Sequence, residues 1–303
     1  MMKPAIAILT YNRASVLKNS IASVLKHTDC ATAIFEDAGY KDNTVDFLIK
    51  DREPQNEDEV SECVRWYADR ESCEVYLGTR NIGVAGNSNR ALRWFMESTD
   101  ADFLLLCNDD ILAKGDFTKA YGHAHEHTDI GMFCYCPFDT PQYACAETPY
   151  RGVPLRLLTR LTGMMMSITR NTVKDIGYFD VSFGPYGEEH CDYTYRAGLA
   201  GHAELDGYTH NGIDIKQDSL SYQDAPCSID GSLRPELDEK ASIAMKKASA
   251  SYSVRDYYRP FATAHNDYAG GGSEGIRIED MLGYAVVQNR KDVVHPSELV
   301  SFT

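Results

Sequence analysis

The chain alternates short apolar runs with stretches whose apolar residues recur at helical spacing. The run Ala5–Leu9 predicts a buried strand, and the apolar residues spaced from Leu17 to Leu25 predict a helix. The same patterns predict further strands over 32–35, 74–77, 103–107 and 203–205, and helices within 60–69 and over 87–96, 193–199 and 237–250. Because strands and helices alternate, we expect an α/β fold with a mostly parallel sheet flanked by helices.

Polar clusters follow three of these strands, at the point where each strand ends. They are Thr10–Arg13, Glu36–Asp37 and Asn108–Asp110. The carboxyl ends of parallel strands share one edge of a sheet, so these clusters should meet in one crevice, where such sheets bind ligands. Carboxylates at the end of a buried strand are costly unless they bind a cation or accept hydrogen bonds. Asn108–Asp110 therefore suits Mg²⁺ or Mn²⁺, or else caps the next element.

Two more segments are candidates for chemistry. Residues 187–192 bring Glu188, Glu189 and Asp192 to the start of a predicted helix. These acids either act as a general base in the crevice or are simply stabilised by the helix dipole. The Gly/Asn-rich turn over 81–89 either directs backbone N–H groups at a phosphate or is an ordinary loop, since it lacks a Walker lysine and the full dinucleotide fingerprint.

Composition narrows the classes of protein. The chain has 303 residues, is 43% hydrophobic and carries a formal net charge of −15, which disfavours non-specific binding to nucleic acid or to an anionic membrane. No apolar run approaches the roughly 18 residues of a membrane span. The nine cysteines include no paired CxxC motif, so we expect reduced core thiols. His123 and His127 share a predicted helical face and either hold a metal ion or lie exposed near a helix C-terminus; we expect the second, because no further ligand spacing supports a metal site. We expect neither a signal peptide nor a membrane span, and a cytoplasmic location.

Taken in order, these segments resemble the GT-A fold glycosyltransferases, in particular family 2-like enzymes that use nucleotide-sugars. The resemblance covers roughly residues 4 to 215. It rests on Ala7–Arg13, Phe35–Asp42, Asn81–Leu92, Asn108–Asp110, Thr162–Arg170 with Ile176–Asp180, Glu189–Asp192 with Arg196, and His210. A GT-A domain over 1–215 would then be followed by an extension over 216–303. Two roles are open for this extension, covering the active site or mediating self-association into a homo-oligomer.

The resemblance implies a role for each matching residue. Asp110 and His210 would hold Mn²⁺ or Mg²⁺, and Asp192, or else Glu189, would be the base of an inverting transfer from a UDP-sugar or a similar donor. Gly163 and Met164 would lie on the acceptor side, and Asp37 would contact the nucleobase. The full set implied for donor binding is Thr10, Tyr11, Asn12, Arg13, Asp37, Arg80, Asn81, Gly86, Asn89, Asn108 and Asp109.

The sequence departs from the family pattern at two places. Asn108 stands where the metal motif has Asp, and Glu189–His190 replaces the commoner Glu-Asp pair. The acceptor is not identified: a glycan, a small molecule and a modified nucleotide all remain open. Two alternative functions are a nucleotidyltransferase and a non-catalytic module that binds nucleotide-sugars or glycans. The missing fingerprint disfavours a NAD-dependent dehydrogenase.

Overall fold

The computed structural model describes residues 1–37, 73–77, 81–140, 142–183, 186–205, 208–209, 212–224, 231–251 and 284–286. Six helices lie in these residues, α1 (Ala14–His27), α2 (Gly83–Ser98), α3 (Thr118–Thr128), α4 (Arg170–Ile176), α5 (Glu189–Leu199) and α6 (Arg234–Ser251), with a 3-10 turn over Val181–Phe183. None of the described helices has the length and apolar character that crossing a bilayer requires. The helix predicted within 60–69 lies outside the described residues.

A seven-stranded sheet forms the centre of the fold. Its strands are β1 (Pro4–Thr10), β2 (Ala31–Glu36), β3 (Cys73–Leu77), β4 (Phe103–Asn108), β6 (Met132–Cys134), β9 (Met165–Thr169) and β14 (Tyr284–Val286). The order across the sheet is β14-β3-β2-β1-β4-β9-β6. Strands β3, β2, β1 and β4 run parallel, and β14 and β9 are the antiparallel strands. The predicted mixed α/β fold with a mostly parallel sheet is confirmed.

The central strands are apolar throughout because both of their faces are covered. Alternate residues of β1 enter two separate cores: Ile6 and Ile8 pack with α1 and α3, whereas Ala5 and Ala7 pack with α2, α4 and α5. Strand β4 divides in the same way, with Leu105 in the first core and Leu104 in the second. This three-layer arrangement explains the continuous apolar runs, and it leaves the strand ends as the places where polar side chains gather.

Smaller sheets surround this centre. Their strands are β5 (Ile111–Ala113), β7 (Ala144–Tyr150), β8 (Val153–Leu158), β10 (Glu204–Leu205), β11 (Tyr208–Thr209), β12 (Ile213–Ile215) and β13 (Leu220–Tyr222). Strands β12, β8 and β7 form one sheet, and β10 pairs with β11. The hairpin between β7 and β8 turns at Arg151 and Gly152, both with positive φ, as a two-residue turn of this kind requires.

Part of the predicted extension packs against the centre of the fold. Strand β13 pairs antiparallel with β5, directly after the acidic segment that ends β4. The Gln223 N–H donates to the Asp110 carbonyl at 2.7 Å, and the Gln223 side chain bonds Asn19 and the Val16 carbonyl of α1. The division of the chain at residue 215 stays a prediction, but residues 219–223 help to fix the backbone at the sheet edge.

Two minor predictions concern cysteine and histidine. Cys134 and Cys136 are buried free thiols in the same core. His123 and His127 lie on the last turns of α3 with their rings 4.0 Å apart, and both are exposed. Between them, His125 is buried and bonds Ser167 and the Ile130 carbonyl, a structural role that the sequence pattern did not indicate.

Candidate active site

The carboxyl ends of β1 and β4 meet in a buried polar junction. The Thr10 hydroxyl donates to Asp109 Oδ2 at 2.7 Å, and Arg13 Nη1 donates to Asp109 Oδ1 at 2.7 Å. The same Nη1 lies 3.2 Å from Asp110 Oδ2. The junction forms because β1 and β4 are adjacent and in register, with Leu9 opposite Asn108. The predicted convergence of the Thr10–Arg13 and Asn108–Asp110 clusters is therefore what the structure shows.

The two acids of this junction differ in their surroundings. Burial raises the pKa of Asp109 to about 7, although the Arg13 charge and the Thr10 hydroxyl oppose that rise. Asp110 keeps one oxygen, Oδ1, that is buried yet has no hydrogen-bond partner among the described residues. The Arg13 Nε is likewise buried and unpaired within that set. Buried polar atoms are normally satisfied, so this junction has capacity for a further polar ligand.

Asp37 joins the same edge from β2. Its backbone N–H donates to the Thr10 carbonyl at 3.0 Å, which links the second polar cluster to the first. Its carboxylate accepts the N–H groups of Ile82 and Gly83 at the start of α2, at 2.9 and 3.0 Å. Burial raises the pKa of Asp37 to about 6, against the two N–H donors and the charge of Arg90. The carboxylate thus binds a helix N-terminus, and its contact with a nucleobase stays a prediction.

The other residues implied for donor binding fall into three groups. Tyr11 and Asn12 lie half-buried in the turn between β1 and α1, next to Arg13. Asn81 accepts the Gly83 N–H at 2.9 Å, and Gly86 is packed against Ile82. Asn89 uses both ends of its carboxamide on the backbone of Phe179, at 2.8 and 3.0 Å. Arg80 and His210 lie outside the described residues.

The segment implied for the acceptor side connects the two acidic regions. The Asn108 N–H donates to the Met164 carbonyl at 2.9 Å. The preceding residue, Gly163, has φ +66°, and a Cβ placed there would come within 3.1 Å of Nδ1 of His190. The loop before β9 therefore touches the end of β4 on one side and the start of α5 on the other.

The start of α5 holds the candidate bases. Glu189 and Asp192 are both buried on the first turn, whereas Glu188 is exposed. Asp192 Oδ2 accepts from Arg196 Nε at 2.9 Å. Glu189 Oε1 lies 2.8 Å from Nδ1 of His190, and its Oε2 has no hydrogen-bond partner in the described part of the chain.

The environment of Glu189 keeps it charged. Burial alone would raise the pKa of Glu189, but the hydrogen bond and charge of His190, with the N–H groups of Glu189 and Gly187, hold that pKa below its ordinary value. The sequence pattern does not indicate this contact, because neighbouring positions on a helix do not ordinarily face each other.

The carboxylates of the junction are the candidate ligands for a metal ion. The described residues contain no group of three His, Cys, Asp or Glu side chains that could hold a metal ion. Asp109 and Asp110 nevertheless offer hard carboxylate oxygens, and one of them, Asp110 Oδ1, is buried and has no partner in the described ranges. Mg²⁺ is commonly held by one or two carboxylates together with substrate phosphates and waters, so this pair fits Mg²⁺ or Mn²⁺ in company with a phosphate ligand.

Comparison with known proteins finds one curated protein of similar sequence. No family model matches the chain. Over 125 residues the chain is 28% identical to an uncharacterized glycosyltransferase of Acanthamoeba polyphaga mimivirus, a match that covers 41% of this chain and 48% of that protein. The chain is similar to glycosyltransferases. It spans about half the length of this curated relative.

Two solved structures match this chain with TM-scores just under 0.5. A mannosyltransferase from Pyrobaculum calidifontis, in complex with GDP-Man and Mn²⁺, matches with a TM-score of 0.46 and 14% identity over 83% of this chain and 76% of that one. Residues 1–349 of S. aureus TarS, in complex with UDP, match with a TM-score of 0.49 and 15% identity over 89% and 72% of the two chains. The chemistry of the site is therefore argued from the side chains of this chain and not from these two structures.

Proposed function

We propose that the protein is a glycosyltransferase that moves a sugar from a nucleoside diphosphate sugar to an acceptor hydroxyl. The observation that carries this proposal is the junction of Thr10, Arg13, Asp109 and Asp110 at the carboxyl edge of a parallel sheet. One buried oxygen of this junction has no partner within the described part of the chain. The 28% identity to a curated glycosyltransferase supports the same reaction class.

The donor edge would bind the diphosphate. Asp110, with Asp109 and His210, would hold Mn²⁺ or Mg²⁺, and the bound metal would neutralise charge on the departing diphosphate. In the structure the Arg13 guanidinium already places positive charge between Asp109 and Asp110. Because Nε of that guanidinium has no partner among the described residues, Arg13 would assist in binding phosphate oxygens. We further propose a UDP-sugar as the donor, and Asp37 as a contact of the base.

The transfer would be a single displacement. A base on the acceptor side removes the hydroxyl proton as the acceptor oxygen attacks the anomeric carbon and the bond to the diphosphate breaks, which inverts the anomeric centre. The first turn of α5, with Glu189 and Asp192, supplies the candidate bases. It is reached from the donor edge through Met164 and Gly163. The acceptor class, the cytoplasmic location and a homo-oligomeric state stay predictions.

The direct test is turnover with a panel of donors. The protein is incubated with UDP-glucose, UDP-N-acetylglucosamine and GDP-mannose, with Mn²⁺, Mg²⁺ or EDTA, and the released nucleoside diphosphate and the anomeric configuration of the product are measured. We expect metal-dependent release of a nucleoside diphosphate and an inverted product. Release of pyrophosphate from a nucleoside triphosphate and sugar phosphate would instead identify a nucleotidyltransferase, and saturable donor binding without turnover would identify a binding module.

A further inference from the structure

The start of α5 contains a histidine that is oriented by a buried carboxylate. Nδ1 of His190 lies 2.8 Å from Oε1 of Glu189. The pKa of Glu189 is held below its ordinary value, against the effect of burial, by the His190 hydrogen bond and charge, so the carboxylate is ionised at neutral pH. An ionised carboxylate can only accept hydrogen bonds, and Nδ1 must therefore carry the proton. In the form of the ring that carries a single proton, Nε2 is therefore the nitrogen with a free lone pair.

The position of the ring is fixed by its neighbours. Gly163 lies against it, since a Cβ there would come within 3.1 Å of Nδ1 and 3.5 Å of Cε1. Phe179 meets the ring edge to face, with centroids 5.7 Å apart. No described residue bonds Nε2, and 12% of the side-chain surface remains exposed. Such packing holds the imidazole in one orientation while part of the side chain stays exposed.

The ring also lies beside the donor edge. Gly163 contacts His190, and the next residue, Met164, accepts the Asn108 N–H at 2.9 Å. Asn108 directly precedes the acidic pair Asp109 and Asp110. One short loop therefore separates His190 from the proposed diphosphate site.

Asp192 and Glu189, the other two candidate bases, are less available to take a proton. Asp192 bonds Arg196, whose remaining nitrogens bond the carbonyls of Ile176 and Tyr178. Glu189 Oε2 is free of partners in the described residues but is buried, and a carboxylate with a lowered pKa is a weak base. Histidine, by contrast, ordinarily titrates close to neutral pH.

We propose that His190 is the general base of the transfer and that Glu189 is its positioning residue. This inference rests on the proposed glycosyltransferase function. The acceptor O–H proton passes to Nε2 while the acceptor oxygen forms its bond to the anomeric carbon. The bond from that carbon to the diphosphate oxygen breaks, and its electron pair leaves with the nucleoside diphosphate. The imidazolium, stabilised by Glu189, then releases its proton to solvent.

The test compares His190→Asn, His190→Ala and a matched control. Asparagine can retain a bond to Glu189 in place of Nδ1 but has no basic nitrogen. His202→Asn is the control, because His202 Nε2 also pairs with a carboxylate, Asp175, at 2.7 Å. The probe is the donor with the highest wild-type release of nucleoside diphosphate, with water as the acceptor. Binding of the free nucleoside diphosphate is measured separately by thermal shift.

We expect both His190 variants to keep the nucleotide-induced thermal shift and to lose about 10²–10⁴-fold in turnover, the usual contribution of a positioned base. Added imidazole should restore part of the turnover of His190→Ala, and His202→Asn should retain the wild-type rate. Glu189→Gln should move the acidic limb of the rate profile to lower pH, because the lost carboxylate no longer stabilises the imidazolium. Glu189 is the one charged side chain that the described residues place at ion-pair distance from this ring.

Two results would overturn the assignment: turnover by His190→Asn within about tenfold of the wild type, a smaller loss than a base should cause, or a folded, nucleotide-binding His190→Ala that imidazole does not rescue. A wild-type protein that releases no nucleoside diphosphate from any donor would be a failure of the proposed function itself. The wild-type measurement thus separates the two failures.

Discussion

Two buried aspartate–arginine pairs in this molecule have similar geometry but differ in how many of their polar atoms have hydrogen-bond partners. In the Asp192–Arg196 pair, the arginine bonds the carboxylate through Nε and two backbone carbonyls through its other nitrogens. In the Asp109–Arg13 pair, the arginine leaves Nε unpaired, and the neighbouring Asp110 leaves Oδ1 unpaired, among the described residues. The satisfied pair holds α5 to the end of α4 and the residues just after it. The unsatisfied pair at the strand edge has unused capacity to bind a ligand.

The largest effect should come from breaking the satisfied pair. Asp192→Asn leaves a buried guanidinium without its counter-charge, and losing one partner of such a pair costs about 3–5 kcal/mol of folding free energy. We expect a large fall in the denaturant midpoint, with the turnover of the remaining folded protein close to wild type. If stability were unchanged and turnover fell about 10²–10⁴-fold, Asp192 would be the base after all.

A substitution at the unsatisfied junction should change stability little and turnover strongly, the reverse of the effect at the satisfied pair. Asp110→Asn removes the charge of a carboxylate whose Oδ1 has no partner among the described residues and whose Oδ2 lies 3.2 Å from Arg13 Nη1, so the free energy of unfolding should change little. Turnover should fall by about 10²–10³-fold, the loss expected when one group that stabilises transition-state charge is removed. Asp129→Asn is the control, since Asp129 is an exposed acid that pairs with Arg151. Equal turnover in the two variants would remove Asp110 from the site.

A smaller effect is expected at the loop that joins the two regions. Gly163→Ala must adopt a φ near +66° and must also push against the His190 ring. Gly152→Ala shares the positive φ, at +84°, but a Cβ there meets nothing within 4 Å. Both variants should lose about 1–2 kcal/mol from backbone strain, and Gly163→Ala alone should also lose turnover. Similar turnover in both would show that the contact with His190 does not matter.

The smallest effect at neutral pH concerns a second satisfied group, the buried side chain of His125, which bonds Ser167 and the Ile130 carbonyl. Burial lowers its pKa to about 4, although the Ile130 carbonyl opposes this, while the unfolded chain titrates near 6.5. The unfolded state therefore binds a proton first, and stability should fall as the pH drops from about 6.5 to about 4. His125→Gln should flatten this part of the profile of unfolding free energy, and exposed His123→Gln should not. Parallel pH profiles of unfolding free energy for the wild type and His125→Gln would show that His125 does not cause this fall in stability.

The fold class and the position of the polar sheet edge could be predicted from the sequence. Strands β1 and β4 are buried on both faces, so their unbroken apolar runs were easily recognised, and the polar residues that follow them had to share one edge. The fold class and the meeting of Thr10, Arg13 and Asp109 follow from that reasoning.

What the sequence could not supply is how each polar group is satisfied. The bonds from Arg196 to the Ile176 and Tyr178 carbonyls join residues 20 and 18 positions apart, and no local pattern encodes them. The four-residue spacing of Asp192 and Arg196 was the one available signal of their pairing. The pairing of β13 with β5 and the orientation of His190 likewise depend on tertiary packing.

In the proposed function, Asp110 and its neighbours bind a cation together with a diphosphate at one sheet edge. Calorimetric titration of UDP and GDP, each with and without Mn²⁺, into the wild type and Asp110→Asn measures this binding. We expect Mn²⁺ to tighten binding of a diphosphate, UMP and GMP to gain much less, and Asp110→Asn to abolish the gain. Equal affinity for mono- and diphosphates, unchanged by Mn²⁺ or by Asp110→Asn, would contradict this proposal.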